Sequence, residues 1–221
     1  WYENPWFQSS IGAMTLRSEN PDQTAANPQA ARAQMRQRCL DARAAMTPAA
    51  HAAASERIGR HLAAVLNRRP PGILGFCWPI RREFDARPLV TQLLDAGWQA
   101  CLPALPAPAA PMVFHRWTPG CPMAAGRHGI PVPADPCILQ PDTLLLPLVA
   151  FDDAGFRLGY GGGYFDRTLA ARVPRPLAVG VGFELGRVAS ILPQDHDLPL
   201  DTIVTEAGIF PYPRRACGML D

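Results

Sequence analysis

Between Gly72 and Leu105 the chain changes its hydrophobic period twice. "GILGFCWP" is a short apolar run ended by proline, "ARPLVTQLLDAG" carries apolar residues at helical spacing and is stopped by Gly97, and "WQACLPAL" is a second apolar run. A strand, a helix and a strand within about thirty residues admit one simple solution, a parallel pair joined by a right-handed crossover helix. Four further runs, "MVFHRW", "TLLLPLVAF", "PLAVGVGF" and "TIVTEAGIF", each read as a strand. The expectation is an α/β chain, a single-domain three-layer α/β/α arrangement with a mostly parallel sheet covered by helices on both faces. A chain of 221 residues has the length of one such domain.

Two helices should precede the first strand. From Gln29 to Met46 the residues Met35, Cys39, Ala42 and Met46 recur at spacings of four, three and four, one stripe of a helix. Thr47 can cap a second helix, Pro48 suits its first turn, and Ile58, Leu62 and Val65 supply its buried face. The segment "PALPAPAAP" lies between two expected strands and reads as a rigid connection inside the domain. At the start, "ENPWFQS" resembles a degraded protease-site linker and Met14 a native start. Residues 1–13 are therefore expected to be a non-native remnant, residues 14–27 a flexible arm, and residues 28–221 the single domain.

Composition removes several classes of function. The chain has no lysine, so all 21 cationic side chains are arginine, which excludes Schiff-base chemistry and any lysine-dependent phosphate loop. A net charge of +2 is far from the footprint of a dedicated nucleic-acid binder, so no nucleic-acid partner is expected. No apolar window is long enough to span a membrane, and none resembles a secretory signal. The cysteines Cys39, Cys77, Cys101, Cys121, Cys137 and Cys217 show neither C-x-x-C nor zinc-type spacing and read as reduced thiols in a cytoplasmic protein, expected to be a monomer. His51, His61, His115, His128 and His196 show no ligand spacing and read as structural or exposed.

"FDDAGFRLGYGGGYFDR", Phe151 to Arg167, places five glycines between an apolar run and "YFDRTLAARV", where helical periodicity resumes. Strand, glycines and helix form the usual arrangement of an anion site, because backbone N–H groups converge and absent β-carbons let phosphate oxygens come near. A tight turn would explain the glycines equally well. A Walker loop needs the missing lysine, and a dinucleotide fingerprint needs glycine where Tyr164 stands. Arg157 and Arg167 flank the loop, and Asp166 could hold a cation beside a phosphate. Arg32, Arg36 and Arg43, four and seven apart, share one helical edge and could clamp a triphosphate or form a solvated flank.

"AFDDAGFRLGYGGGYFDR" resembles the signature of the 5-formyltetrahydrofolate cyclo-ligase family, also called 5,10-methenyltetrahydrofolate synthetase. "RAQMRQRCLDAR", "FCWPIRREFD", "HGIPVP" and "DHDLPLDTIVTEAGI" resemble the family's other blocks in the same order, so the resemblance covers nearly all of Ala31 to Phe210. It implies a fold like that of the NagB/RpiA/CoA-transferase-like group. It also implies an ATP- and Mg2+-dependent ligase that cyclises 5-formyltetrahydrofolate to 5,10-methenyltetrahydrofolate, with release of ADP and phosphate, through a phosphorylated formyl intermediate.

Carried over by residue, the resemblance implies that Arg32 and Arg36, together with Arg157, Leu158, Gly159, Tyr160, Gly161, Gly162, Gly163, Tyr164 and Phe165, meet the ATP phosphates. Trp78, Glu83 and Tyr160 to Tyr164 would face the folate, Asp166 and Asp197 would hold magnesium, and Arg157, Tyr164 and Asp166 would serve the chemistry. Two positions depart from the family: the first cation of the amino-terminal pair, often lysine, is Arg32, and the loop's middle, a lysine in some members, is Gly162.

Several bland readings stand beside these. Asp166 could form surface pairs along its helix, "HDLPLD" could be a capped turn in which Asp195 or Asp201 competes with Asp197, and Trp78 could be core. Glu83 could be a surface salt bridge, and whether Arg43 joins the phosphate cluster is left open. An RNA- or protein-binding module on the same fold, and an ATP-dependent relative acting on another formylated compound, are the rival functions.

Overall fold

The computed structural model describes residues 27–212. The expected remnant at 1–13, the arm as far as residue 26, the domain's last residues 213–221 and Cys217 lie outside the described residues. Two helices come first, α1 (Pro28–Ala45) and α2 (Pro48–Leu66). Asn27, assigned to the arm by sequence, is the α1 N-cap: its side chain accepts from the N–H groups of Gln29 and Ala30. Thr47 caps α2 through Ala50 N–H, as the sequence predicts.

The central sheet has seven strands. In chain order its members are β1 (Ile73–Gly75), β2 (Gln99–Ala104), β3 (Val113–Trp117), β6 (Thr143–Pro147), β9 (Leu177–Val181), β10 (Thr202–Thr205) and β11 (Gly208–Pro211). Spatially they run β11-β10-β9-β6-β1-β2-β3. The five inner strands are parallel, and the edge strands β3 and β11 are antiparallel to their neighbours. Helix α3 (Arg87–Asp95) makes the expected crossover from β1 to β2, and the proline-rich stretch turns the chain from β2 into β3. A small hairpin, β4 (Met123–Ala125) with β5 (Pro131–Pro133), lies beside the sheet.

Alternation along the strands divides the core. Leu74, Leu145, Val179 and Val204 face Ile58, Leu62 and Leu66 of α2 and Val90 and Leu93 of α3. Leu144, Leu146, Ala178 and Ile203 face the other way, against Leu169 of α4 (Tyr164–Ala170) and Leu200. These two apolar faces make the three layers. Helix α1 lies apart from both: Met35, Cys39 and Leu40 pack on a hairpin of β7 (Ala150–Phe151) and β8 (Arg157–Leu158).

Three boundaries differ from the sequence reading. "TLLLPLVAF" is two strands, because Pro147 cannot donate to a ladder and the chain leaves the main sheet after it, to pair with β8. "TIVTEAGIF" is a hairpin, closed at Glu206 and Ala207 with the Thr205 hydroxyl accepting from Ala207 N–H. Helix α4 stops at Ala170 rather than running to Val173, since the residue before Pro174 is pushed out of helical backbone.

Strand order also marks where a ligand can enter. From β1 the chain moves outward to β2 and β3, then returns to β6 on the other side of β1 and continues outward through β9 and β10. The winding reverses between β1 and β6. At such a switch point the loops after the two strands diverge and leave a crevice at the carboxyl edge.

Candidate active site

A narrow cavity of about 20 Å³, the inner end of the cleft, lies at that edge, lined among others by Phe76 and Cys77 after β1, Pro147 at the end of β6, and Arg43, Glu83 and Phe84. Glu83 is carried by a tight turn: its carboxylate accepts from Ile80 N–H at 3.0 Å, and Ile80 O accepts from Glu83 N–H at 2.9 Å. Arg81 and Arg82 in this turn have φ of 46° and 58°, left-handed values that cost a non-glycine residue of order 1–3 kcal/mol. Arg82 is held there by its own guanidinium, which donates to Ala44 O and Met46 O at the end of α1, both at 2.8 Å, while its carbonyl meets the His51 ring at 3.0 Å. The strained turn thus joins α1 and α2 to the cleft.

Helix α1 sends three arginines along one edge, and each meets a different segment. Arg32 forks onto Asp197, Nη1 to Oδ2 at 2.5 Å and Nη2 to Oδ1 at 3.1 Å, and also donates to Leu192 O. Arg36 donates from Nε to Gly159 O at 2.8 Å. Its terminal nitrogens have no other hydrogen bond among the described residues, and they stand beside Gly161, where an added Cβ would lie 3.7 Å from Nη2. Burial and the Arg32 charge push the Arg36 guanidinium down, with Asp197 opposing.

Arg43 meets a third segment. It is 3% exposed and turns to the cleft, donating to Leu148 O at 3.2 Å and to the Tyr160 hydroxyl at 2.9 Å. Tyr160 in turn donates to Glu83 at 2.8 Å.

The glycine stretch leaves β8 and enters α4 through an open turn. Gly161 and Gly163 have φ of 93° and 62°, and the segment from Tyr160 to Gly162 is exposed. An added Cβ at Gly162 would come within 2.7 Å of the Tyr164 ring, so a larger residue there would require that ring to shift. Helix α4 has seven residues and a correspondingly small dipole, so an anion placed here would depend on loop amides and arginines more than on the helix.

Behind the loop lie the acids. Arg157, 6% exposed, donates to Leu198 O and to Asp166 Oδ1, both at 3.0 Å, and Leu198 N–H donates to the same Oδ1 at 3.1 Å. Burial pushes the Arg157 guanidinium down while Asp166 supports its charge. Asp166 Oδ2 has no hydrogen bond among the described residues. Asp197 is different: both oxygens are engaged, by Arg32 and by Gln194 N–H at 2.7 Å. Burial alone would raise its carboxyl, but Arg32 and that N–H outweigh burial and hold it below the usual range. Asp195 is exposed, and Asp201 accepts from Ala178 N–H at the amino end of β9, far along the sheet from these groups.

The structure therefore gathers Arg32, Arg36, Arg157, Asp166, Asp197 and the stretch Leu158 to Phe165 around one end of α1, and joins them to Glu83 through Tyr160. Trp78 is half-buried under the Arg87 guanidinium, 4.4 Å from its ring centroid, and is not part of the cleft wall. Sequence reasoning missed Phe76, Cys77 and Phe84 as cleft walls and Arg82 as a brace. Only the position of Phe76 and Cys77 at a strand's carboxyl end could have signalled the first two. His51 and His61 meet backbone carbonyls, as structural histidines do, and no group of three or more His, Cys, Asp or Glu side chains is placed for a metal among the described residues. No helix among them is long and apolar enough to cross a membrane.

Comparison with known proteins bears on this site. A family model described as the 5-formyltetrahydrofolate cyclo-ligase family matches residues 28–206. The 5-formyltetrahydrofolate cyclo-ligase of Escherichia coli K12 is 34% identical over 137 residues, 59% of this chain and 75% of that protein. The Haemophilus influenzae enzyme of the same name is 28% identical over 180 residues, 78% of this chain and 96% of that protein. Among solved structures, the 5,10-methenyltetrahydrofolate synthetase of Aquifex aeolicus superposes with a TM-score of 0.69 at 26% identity, covering 86% of this chain and 97% of that one. The Mycoplasma pneumoniae synthetase superposes with a TM-score of 0.67 at 21% identity, covering 79% and 98%, and so supports the fold.

Proposed function

Because the chain belongs to the 5-formyltetrahydrofolate cyclo-ligase family and is an ATP-dependent ligase of that family, we propose that it closes 5-formyltetrahydrofolate to 5,10-methenyltetrahydrofolate by way of a phosphorylated formyl oxygen. The formyl oxygen is a poor leaving group on an amide-like carbon. It attacks the γ-phosphorus of ATP, ADP departs, and the iminium phosphate so formed is open to the folate's own nitrogen 10. That nitrogen bonds to the formyl carbon and loses its proton, the carbon–oxygen bond breaks, and inorganic phosphate leaves.

Both nucleophiles belong to the substrate, so the protein supplies alignment and charge stabilisation rather than a nucleophile. The open amides of Gly161, Gly162 and Gly163 and the uncommitted terminal nitrogens of Arg36 seat the triphosphate, flanked by Tyr160, Tyr164 and Phe165. Arg32, oriented by Asp197, and Arg157, oriented by Asp166, back this seat with positive charge. Glu83 in the cleft and Tyr160 bonded to it hold the folate, and Trp78, the other residue expected to meet it, lies outside the cleft wall.

Magnesium takes one or two protein carboxylates and otherwise phosphate oxygens and water, and it would offset the charge on the transferring phosphoryl group. Asp166, with one oxygen to spare, fits such an ion. Asp197, already engaged at both oxygens, fits it only after Arg32 lets go, and in the present geometry its work is to aim Arg32. We read the protein as a cytoplasmic monomer with residues 28–221 as one domain, and the free thiols among the described residues accord with that compartment.

The observation that carries the reading is the 2.8 Å hydrogen bond from Tyr160 to Glu83, which sets the glycine loop directly over the cleft at the switch point. Purified protein given MgATP and 5-formyltetrahydrofolate should generate the methenyl chromophore in step with ADP. Chromophore without ADP release, or ADP release without chromophore, would refute it.

A further inference from the structure

The mechanism leaves one buried cation without a task. Arg43 is sealed from solvent beside the cleft, and its Nε finds no acceptor among the described residues. An unsatisfied N–H in such a place is unfavourable, so the guanidinium is retained for its other contacts. Those contacts form a chain. The Leu148 carbonyl anchors one terminal nitrogen and the other donates to the Tyr160 hydroxyl, which leaves that hydroxyl's own proton to go to Glu83.

We propose that Arg43 is a positioning residue for the folate half of the reaction: it fixes the direction of the Tyr160 hydroxyl and so holds the Glu83 carboxyl group in place in the cleft. The inference rests on the functional reading above. It separates the three arginines of α1, giving Arg32 and Arg36 to the phosphates and Arg43 to the pterin side, a division their shared helical edge does not disclose.

Burial pushes the Glu83 carboxyl up on balance, and the Ile80 N–H, the Tyr160 hydroxyl and the charges of Arg43 and Arg81 limit that rise. The Cys77 thiol, the remaining titratable group on the cleft wall, is itself pushed up by burial and by Glu83 and stays protonated. Removing Arg43 takes away a cation and the order of the hydroxyl together. The Glu83 carboxyl then rises further and protonates at a higher pH.

The test is steady-state kinetics of Arg43→Gln, Arg43→Lys and Tyr160→Phe across a pH series, with KM for 5-formyltetrahydrofolate and for ATP measured separately. Arg43→Gln should raise the folate KM about tenfold or more, the loss expected for one charge-assisted hydrogen bond, with ATP KM little changed. The acid limb of its kcat/KM profile should move to higher pH. Arg43→Lys should restore the limb in part, and Arg43→Gln should add less once Tyr160 is already phenylalanine than it does in the wild type. Equal losses toward ATP and folate, an unmoved acid limb, or full additivity would overturn the proposal. If Arg43→Gln fails to fold, Arg43→Lys decides it, since it must raise the folate KM selectively. An inactive wild-type chain would remove the functional reading itself, whereas an active one with unaltered variants removes only this inference.

Discussion

Replacing Asp197 by asparagine would test the structure at a deeply buried ion pair. Arg32 and Asp197 are 8% and 6% exposed at their side chains and share two hydrogen bonds. Asparagine keeps the size and one acceptor but aims an amide N–H at a guanidinium N–H or at Gln194 N–H. The guanidinium stays buried without its counter-charge, which typically costs about 3–5 kcal/mol. For a chain of this length, about 2–4 °C of melting temperature accompanies each kcal/mol, so a fall of roughly 6–20 °C is expected by circular dichroism.

The pH dependence has a fixed sign. The Asp197 carboxyl titrates below its ordinary range in the fold, so its contribution is complete above the unfolded carboxylate range and fades as pH falls through the folded value. The gap between wild type and Asp197→Asn should therefore be widest near neutrality and narrow in acid. A gap under about 1 kcal/mol, the size of an exposed pair, or one constant with pH, would show that the pair does not anchor α1. The same variant informs function: weakened ATP binding at saturating magnesium marks Asp197 as the brace of Arg32, and a shifted magnesium requirement marks it as a metal ligand.

Other outcomes follow from the same geometry. Asp166→Asn should sharply lower magnesium-dependent turnover with the fold intact by circular dichroism, because the carboxylate oxygen it loses is the uncommitted one; unchanged turnover counts against the metal assignment. Gly161→Val should weaken ATP binding in a calorimetric titration, since φ of 93° is closed to a β-branched residue and the new methyl groups would stand beside the Arg36 guanidinium; undiminished affinity contradicts the phosphate seat. Leu62→Ala should destabilise by about 2–5 kcal/mol, seen as a lower urea midpoint at constant slope, because Leu62 is wholly buried between α2 and the sheet.

Much of the architecture could be read before any coordinates. Helical stripes on Met35 and Cys39, and on Ile58 and Leu62, mark α1 and α2. The double change of period around α3 marks the parallel crossover, and the glycines of 159–163 mark the loop over the cleft. What misled the reading was apolar runs that conceal a turn: nothing in the hydrophobicity of "TLLLPLVAF" says that Pro147 sends the chain out of the sheet. Two-residue strands such as β7 and β8 are too short to have a period at all.

The amino-acid order by itself determined the class of fold, the layers and the place of the glycine loop between a strand and a helix, because period, proline and glycine act over a few residues and need no partner. It could place Arg32, Arg36 and Arg43 on one edge, but not say that the first grips Asp197, the second the loop and the third Tyr160. Those choices join residues from 117 to 165 positions apart. They were decided when the sheet wound outward in both directions from β1 and brought distant loops to one edge, since which buried charge meets which is a property of that closure and not of any local stretch of chain.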